Sequence, residues 1–325
     1  MNPLSDITPA VMAALREKFG ERLQENVRLA NYTTAHVGGP ADGLIVAASS
    51  QELADIFTTL WQYACPVYLF GSGANVLVSD SGFHGIVVVN HARNIKIDMH
   101  HVTPSVWAES GANLAGMARQ AALRNLSGLE WATTVPGTVG GAVFGNAGAF
   151  GSNTAASLKM VEILHPTYGK QEWPVEKLDY GYRSSWLKRN PGQVVVLAAR
   201  FELSVDQPEA IQARLSDYSN RRRSTQPQGA SMGSMFKNPE GDYAARLIEA
   251  VGLKGTRIGG AQISEKHANF FINDKDATAS DYWSLIQLAR TRVSEAFGIS
   301  LELEVELVGD FSISSKSMKS NRKSN

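Results

Sequence analysis

GLEWATTVPGTVGGAVFGNAGAFG, residues 128–151, carries seven glycines and, apart from Glu130, no charge. Glycine loses more backbone freedom on folding than any other residue, so a cluster needs a structural cause. A loose linker is the weakest explanation. Val135, Val139, Val143, Phe144 and Phe150 interleave with the glycines, whereas flexible linkers are Gly/Ser-rich without apolar residues. Two causes remain open: tight turns in a sheet, or a backbone surface that must lie close to a ligand.

The 325-residue chain is long enough for two or three structural units, each with its own core. Its 31 basic residues balance 31 acidic ones, which argues against a general nucleic-acid or membrane-surface binder. The single Cys65 excludes an intrachain disulfide and a cysteine-rich metal site. The first residues lack a secretory pattern, and no run of about 18 apolar residues could span a bilayer. The expectation is a soluble, cytoplasmic globular protein with no obligate protein partner evident. Residues 312–325, SISSKSMKSNRKSN, hold six serines and four basic residues without an acid, a composition that predicts an unfolded basic tail.

Apolar spacing predicts helices over 17–29, 51–63 with Ser50 as N-cap, 113–124, after Pro208, 243–251 and 279–297. Short apolar runs at 67–70, 75–78, 85–90, 94–98, 159–164, 194–203, 270–273 and 301–309 predict strands. The mixture lacks a regular βαβ alternation and points to an α+β architecture. A composition change predicts domains at 1–206, in two lobes split near 80, and 207–311, followed by the tail at 312–325. His100 and His101 are adjacent on an expected strand and should point to opposite faces, no His-x-x-x-His or His/Cys pair occurs, and no catalytic metal is expected.

A second glycine-rich site, FGSGANVLVSD (70–80), follows the strand VYLF. It is not a dinucleotide fingerprint: the third glycine is missing and VLV follows where a helix is required. Successive amides in a Gly/Ser/Asn turn can nevertheless form an anion-binding nest. Gly71, Gly73 and Asn75 suit one, and Gly137, Gly140 and Gly141 could make a second wall. A plain β-turn stands beside that reading for each loop.

YTTAHVGGPAD (32–42), GSGANVLVSD (71–80), PGTVGGAVFGNAGAFG (136–151), YRSSWLK (182–188), GSMFKNP (233–239) and LEVELVG (303–309) together resemble the UDP-N-acetylenolpyruvoylglucosamine reductase (MurB) family, in the family's order. The resemblance implies an FAD-binding domain of the vanillyl-alcohol-oxidase (PCMH) type followed by a smaller α+β substrate domain. It implies reduction of an enolpyruvyl ether to a lactyl ether on a UDP-sugar, with NADPH and FAD, in peptidoglycan precursor synthesis. It assigns Gly71, Ser72, Gly73, Ala74, Asn75, Pro136, Gly137, Gly140, Gly141, Gly145 and Asn146 to the cofactor. Ala74 departs from the serine common in the family. The short interval from Arg183 to Ser234 resembles the subgroup without an extra tyrosine-bearing loop.

The resemblance makes Arg183, Ser234 and Glu304 the catalytic residues, and Tyr182, Lys237 and Asn238 substrate contacts. A planar, permanently charged guanidinium suits a carboxylate that gains charge; the residue type alone would equally suit a surface arginine. Glu302, Glu304 and Glu306 alternate and should share one strand face, so only the motif selects Glu304. Ser234 would be the proton donor, although serine in a Gly-Ser turn is ordinarily structural. Arg221, Arg222 and Arg223 form a dense basic cluster suited to a diphosphate or to a solvated helix end; Arg222 is the candidate contact. Another oxidoreductase on the same fold, or a non-catalytic nucleotide-binding protein, would share the glycine loops.

Overall fold

The computed structural model describes residues 7–100 and 102–312, so the expected tail falls outside them except for Ser312. Two compact units form. The first comprises the described residues up to Leu23, Ile45–Ser72 and Val87–Ser224; the second comprises Gln24–Leu44, Gly73–Ile86 and the described residues from Thr225 onward. This differs from a single cut near Asp206. The composition change there marks a polar helix, and Arg214 fixes that helix to the first unit. Its Nε and Nη2 donate to Glu130 Oε1 at 2.9 and 2.7 Å, and Nη2 also donates to Asp206 Oδ2 at 2.6 Å.

The first unit is built on an antiparallel sheet in the order Gly169–Pro174, Leu158–His165, Val195–Glu202, Ser105–Glu109, Ile95–Asp98. Its helices are α1 (Pro9–Phe19), α2 (Ser50–Gln62), α3 (Leu114–Ala122), α4 (Val139–Gly145), α5 (Trp186–Arg189) and α6 (Pro208–Thr225, ending at the unit's edge). Val106, Met117, Trp131, Val143, Ile163 and Phe201 are buried together in its core. The second unit holds the antiparallel sheet Ala230–Ser234, Phe270–Asn273, Ala261–Ile263, Arg257–Ile258, with α7 (Ala244–Ala250) and α8 (Ala279–Phe297). Met235, Phe236, Leu247, Phe271, Tyr282 and Ile286 form its core. The α+β class is as expected.

Most elements lie where apolar spacing puts them; α8 and the strand Phe270–Asn273 match to the residue. The helix expected over 17–29 does not form. Thr8 accepts from Val11 N and Pro9 occupies the first helical position, so α1 starts earlier, and Gly20 at φ +55° closes it. Residues 24–28 then pair antiparallel with the strand Pro40–Ala47. The N-cap of α2 is Ser49, which accepts from Glu52 N at 3.1 Å, and not Ser50. His100 lies in a bend after Ile95–Asp98, its amide donating to Asp98 Oδ1 at 2.9 Å.

The run 301–309 is a strand only at Glu306–Val308, which pairs parallel with Val76–Val78. Leu303 meets Phe236 through an isolated bridge. The expected shared face of glutamates is therefore absent: Glu302 is exposed, while Leu303, Glu304 and Glu306 are all half-buried.

Candidate active site

The glycine-rich stretch 128–151 contains a helix, which its glycine content conceals from spacing alone. Thr138 caps α4 by accepting from Gly141 N at 3.3 Å. Val139 N donates to Ala112 O (2.9 Å) and Gly140 N to Ser110 O (2.7 Å). The opening amides of α4 are thus engaged within the chain. The glycines themselves have different causes. A Cβ at Gly140 would lie 2.9 Å from Ser110 Cβ, and one at Gly71 would collide with the Thr138 side chain. Gly73, at φ +62°, leaves no room for a Cβ against Tyr32 O, and Thr33 Cα would be 2.8 Å away. These positions are glycine because the backbone passes too close for anything else.

Gly141 and Gly145 are different. Both lie in α4 without a left-handed φ, where glycine costs about 1 kcal/mol relative to alanine. A Cβ at Gly145 would meet nothing within 4 Å, and one at Gly141 only Thr138 Oγ1 at 3.5 Å. Gly137, at φ +132°, also opens onto free space. Nothing in the chain requires a bare backbone at 141 and 145, but a flat group lying against the helix would. That is the fit expected for FAD. Exposed Pro136 opens this surface, whereas Asn146 is turned inward. Asn146 caps α4 at φ +46°; its Nδ2 donates to Gly181 O (3.0 Å), and its Oδ1 accepts from Ala155 N (3.1 Å).

The segment 180–185 is stitched along the end of α4 and the residues after it. Tyr180 Oη donates to Val143 O (2.8 Å), Ser185 Oγ to Phe144 O (2.6 Å), and Asn146 reaches Gly181 as above. Burial pushes the Tyr180 phenol pKa up, so it remains a donor. Arg183 stands at the tip with φ +52°, a region that costs a non-glycine residue energy and persists only where surroundings impose it. Its Nη2 donates to Gly148 O at 2.9 Å, and its guanidinium lies 5.7 Å from the ring of exposed Tyr182. Next to Gly148, Phe150 (φ +54°) stacks on Tyr218 of α6, with centroids 4.5 Å apart and planes at 3°. Further along α6, Arg222 is half-buried, and burial lowers its pKa.

In the second unit, Ser234 ends the strand Ala230–Ser234 and is half-buried. Gly233 (φ +81°) lies at a one-residue bulge, since three steps from Ser231 to Ser234 oppose two from Ile272 to Phe270. Glu304 belongs to the adjoining segment: its amide donates to Met235 O at 3.0 Å, and its carbonyl accepts from Asn75 Nδ2 at 3.1 Å. Lys237 Nζ pairs with Glu302. Asn238 Oδ1 accepts from Ala244 N at 3.1 Å and holds the start of α7. Ser72 and Asn75 are exposed, and Ala74 is half-buried.

Sequence reasoning missed the residues that hold these groups. Thr34 Oγ1 donates to Ser231 O (2.7 Å) and Gly73 O (3.3 Å), and Asn269 pairs with the backbone after Ser234. Neither carries a local signal, because the partners are distant in sequence. Among the described residues no group of three His, Cys, Asp or Glu side chains could hold a metal ion, and no helix is long and apolar enough to cross a membrane.

Comparison with known proteins accords with this geometry. An FAD binding domain model matches residues 41–170, and the model of the C-terminal domain of UDP-N-acetylenolpyruvoylglucosamine reductase matches residues 226–308. The reductase of Chloroflexus aggregans is 41% identical over 298 residues, covering 90% of this chain and 100% of that protein. That of Chloroflexus aurantiacus is 42% identical over 283 residues, covering 86% and 95%. The crystal structure of the Thermus caldophilus enzyme (MurB) superposes with a TM-score of 0.76 at 35% identity, covering 89% of this chain and 99% of that one. With its glycine-lined helix, its imposed arginine and its bulged serine strand, the chain belongs to the UDP-N-acetylenolpyruvoylglucosamine reductase family.

Proposed function

We propose that Arg183, Ser234 and Glu304 carry the reduction of UDP-N-acetylenolpyruvoylglucosamine to UDP-N-acetylmuramate in this chain, a cytoplasmic step of peptidoglycan precursor synthesis. The chain is an FAD-containing, NADPH-dependent oxidoreductase. When bound, FAD supplies the hydride transfer, with NADPH as the source and the terminal vinyl carbon of the substrate as the destination. The chain's own groups deal with the charge and the proton. The electron pair displaced onto the adjacent carbon spreads into the substrate carboxylate. Arg183, oriented by Gly148 O, stabilises that charge, and a fixed guanidinium does so without reorganising. Glu304 acts with it on the same intermediate.

Ser234 delivers the proton to the adjacent carbon, completing the lactyl ether. A serine hydroxyl is a weak acid in water, so this role needs the enolate-like charge and a site closed to solvent. Gly137, Gly141 and Gly145 with Pro136 would hold the flavin, and the loop Gly71–Asn75 would hold its pyrophosphate. Tyr182, Arg222, Lys237 and Asn238 bind the UDP-sugar; for Lys237 and Asn238 this requires sharing or exchange of the partners they hold. The observation that carries the reading is the junction in which Glu304 N bonds to Met235 O, directly after Ser234.

The test separates two half-reactions under anaerobic conditions. NADPH should bleach the FAD-loaded protein, and the enolpyruvyl UDP-sugar should restore its colour. Ser234→Ala should leave the first step within about twofold and slow the second by at least about 100-fold. Equal loss in both steps would remove Ser234 from the proton-donor role, and a protein that cannot be loaded with FAD would overturn the reading as a whole.

A further inference from the structure

Asn269 is 3% exposed and lies one residue before the strand that pairs with Ala230–Ser234. Its side chain makes two bonds to a single peptide-bearing residue: Oδ1 accepts from Phe236 N at 2.9 Å, and Nδ2 donates to Phe236 O at 2.8 Å. Its own carbonyl accepts from Met235 N at 2.8 Å. A carboxamide that both donates to and accepts from one residue reproduces the pairing of a neighbouring strand. It does so where the regular ladder ends, because the bulge at Gly233 has put the two strands out of step and Ser234–Phe270 is the last regular pair.

What lies on the other side of the same two residues gives this pairing its consequence. Met235 O accepts from Glu304 N at 3.0 Å, Phe236 is bridged to Leu303, and Lys237 N donates to Glu302 O at 2.8 Å. Met235 and Phe236 are therefore a shared rail. Asn269 holds one edge, the segment of Glu304 holds the other, and Ser234 is the residue immediately before it. The Asn269 amide is set in turn, donating to His267 Nδ1 at 3.3 Å.

We propose that Asn269 is a positioning residue, whose carboxamide fixes the Met235–Phe236 backbone and through it the mutual placement of Ser234 and Glu304. The inference rests on the roles assigned above to those two residues. Asn269 itself touches neither the substrate nor the flavin in this scheme; it acts through the backbone that carries the proton donor and its neighbour.

The test uses the full chain with Asn269→Ala, which removes both bonds, and Asn269→Asp, which keeps the acceptor and loses the amide donor. Amide hydrogen exchange of Asn269→Ala without FAD reads the clamp directly: Phe236 and Glu304 should lose protection, while Ser264, whose amide bonds to Phe270 O, keeps its own. With FAD, reduction by NADPH should stay within about threefold of the parent. Recovery of colour with the enolpyruvyl sugar should slow by roughly 10- to 100-fold, as misplacement of a reacting group by about 1 Å can do. In a Ser234→Ala background, adding either Asn269 substitution should slow recovery much less than in the parent. Unchanged protection at Phe236 and Glu304, parallel loss of both half-reactions, fully multiplicative effects with Ser234→Ala, or failure of both variants to fold would each overturn the proposal. If Ser234→Ala alone recovers colour like the parent, the assignment of Ser234 fails instead, and the exchange data still report whether Asn269 holds the rail.

Discussion

Replacing Gly141 by alanine should raise the stability of the FAD-free protein and lower that of the FAD-bound one. Gly141 is in α4 with no left-handed φ, and an added Cβ would find only Thr138 Oγ1 at an ordinary 3.5 Å. Removing glycine's freedom from the unfolded chain at such a position stabilises by about 0.4–1 kcal/mol. For a unit of this size that corresponds to roughly 1–4 °C in Tm. If FAD lies against the helix, the same methyl occupies space the ligand needs, and overpacking of that kind costs about 1–3 kcal/mol. That weakens FAD binding by roughly 5- to 150-fold. Because a ligand stabilises by RT ln(1 + [L]/Kd), each tenfold loss removes about 1.4 kcal/mol from the saturated protein. Thermal melts with and without FAD, together with fluorescence titration of the flavin, read both arms. Gly140→Ala is the control: its Cβ would press on Ser110 at 2.9 Å, so it should lower the melting temperature even without FAD. Melts of Gly141→Ala that rise equally in both states, with FAD affinity unchanged, would refute the placement of the flavin along α4.

Gly73→Ala should destabilise the FAD-free protein by at least about 1–3 kcal/mol, since it combines a left-handed φ with backbone overlap at Tyr32 and Thr33; a melt within about 1 °C of the parent, where a fall of at least roughly 2 °C is expected, would contradict the geometry. Arg214→Ala strands Glu130, whose side chain is 7% exposed against 35% for Arg214, at about 2 kcal/mol, less than for a fully buried pair. Burial alone would raise the Glu130 pKa, but the Gly128 amide and Arg214 outweigh it, so it lies below the ordinary 4.5. A lowered carboxyl pKa gives stability that is complete above 4.5 and lost as pH falls through the native value. Denaturant titrations should therefore show parent and variant furthest apart above about pH 5 and converging in acid. Glu304→Gln should slow colour recovery at saturating sugar by about 100-fold, whereas Glu302→Gln, which neutralises the partner of Lys237, should act on the affinity for the UDP-sugar and slow saturated recovery by less than about tenfold. Equal effects of the two would mean that the motif does not distinguish them.

Elements with a strong apolar period were legible in the sequence because burial and spacing agree. In α8, Tyr282, Leu285, Ile286, Ala289 and Val293 fall on one helical face, and Thr278 with Asp281 forms a capping box. In the run 17–29 apolar spacing is a weaker signal than the local polar residues. The pattern in MAALREKFGERLQENVRL continues across Gly20, but the decisive signals were local and polar: Thr-Pro at the start and glycine at the end. The unit boundary was illegible for another reason. Composition changes at Gln207, yet α6 is held to the first unit by Arg214 reaching back to Glu130 and Ser127, a contact across more than 80 positions.

The candidate site shows the same division more sharply, because residue type there says little about cause. All the glycines of the two loops look alike in sequence, and only what an added Cβ would meet separates Gly71, Gly73 and Gly140, demanded by the chain, from Gly141 and Gly145, which the chain does not demand. The three glutamates of LELEVELV likewise look equivalent while the run is read as one strand. They become distinct once pairing is confined to Glu306–Val308 and Glu302 is bonded to Lys237. Glu304 has its backbone held from two sides, by Met235 O and by Asn75 Nδ2. Fixing the backbone of a residue fixes where its side chain can reach. Long-range hydrogen bonds to backbone, from Asn75, Thr34 and Asn269, supply that fixation, and no periodicity in a single sequence records them.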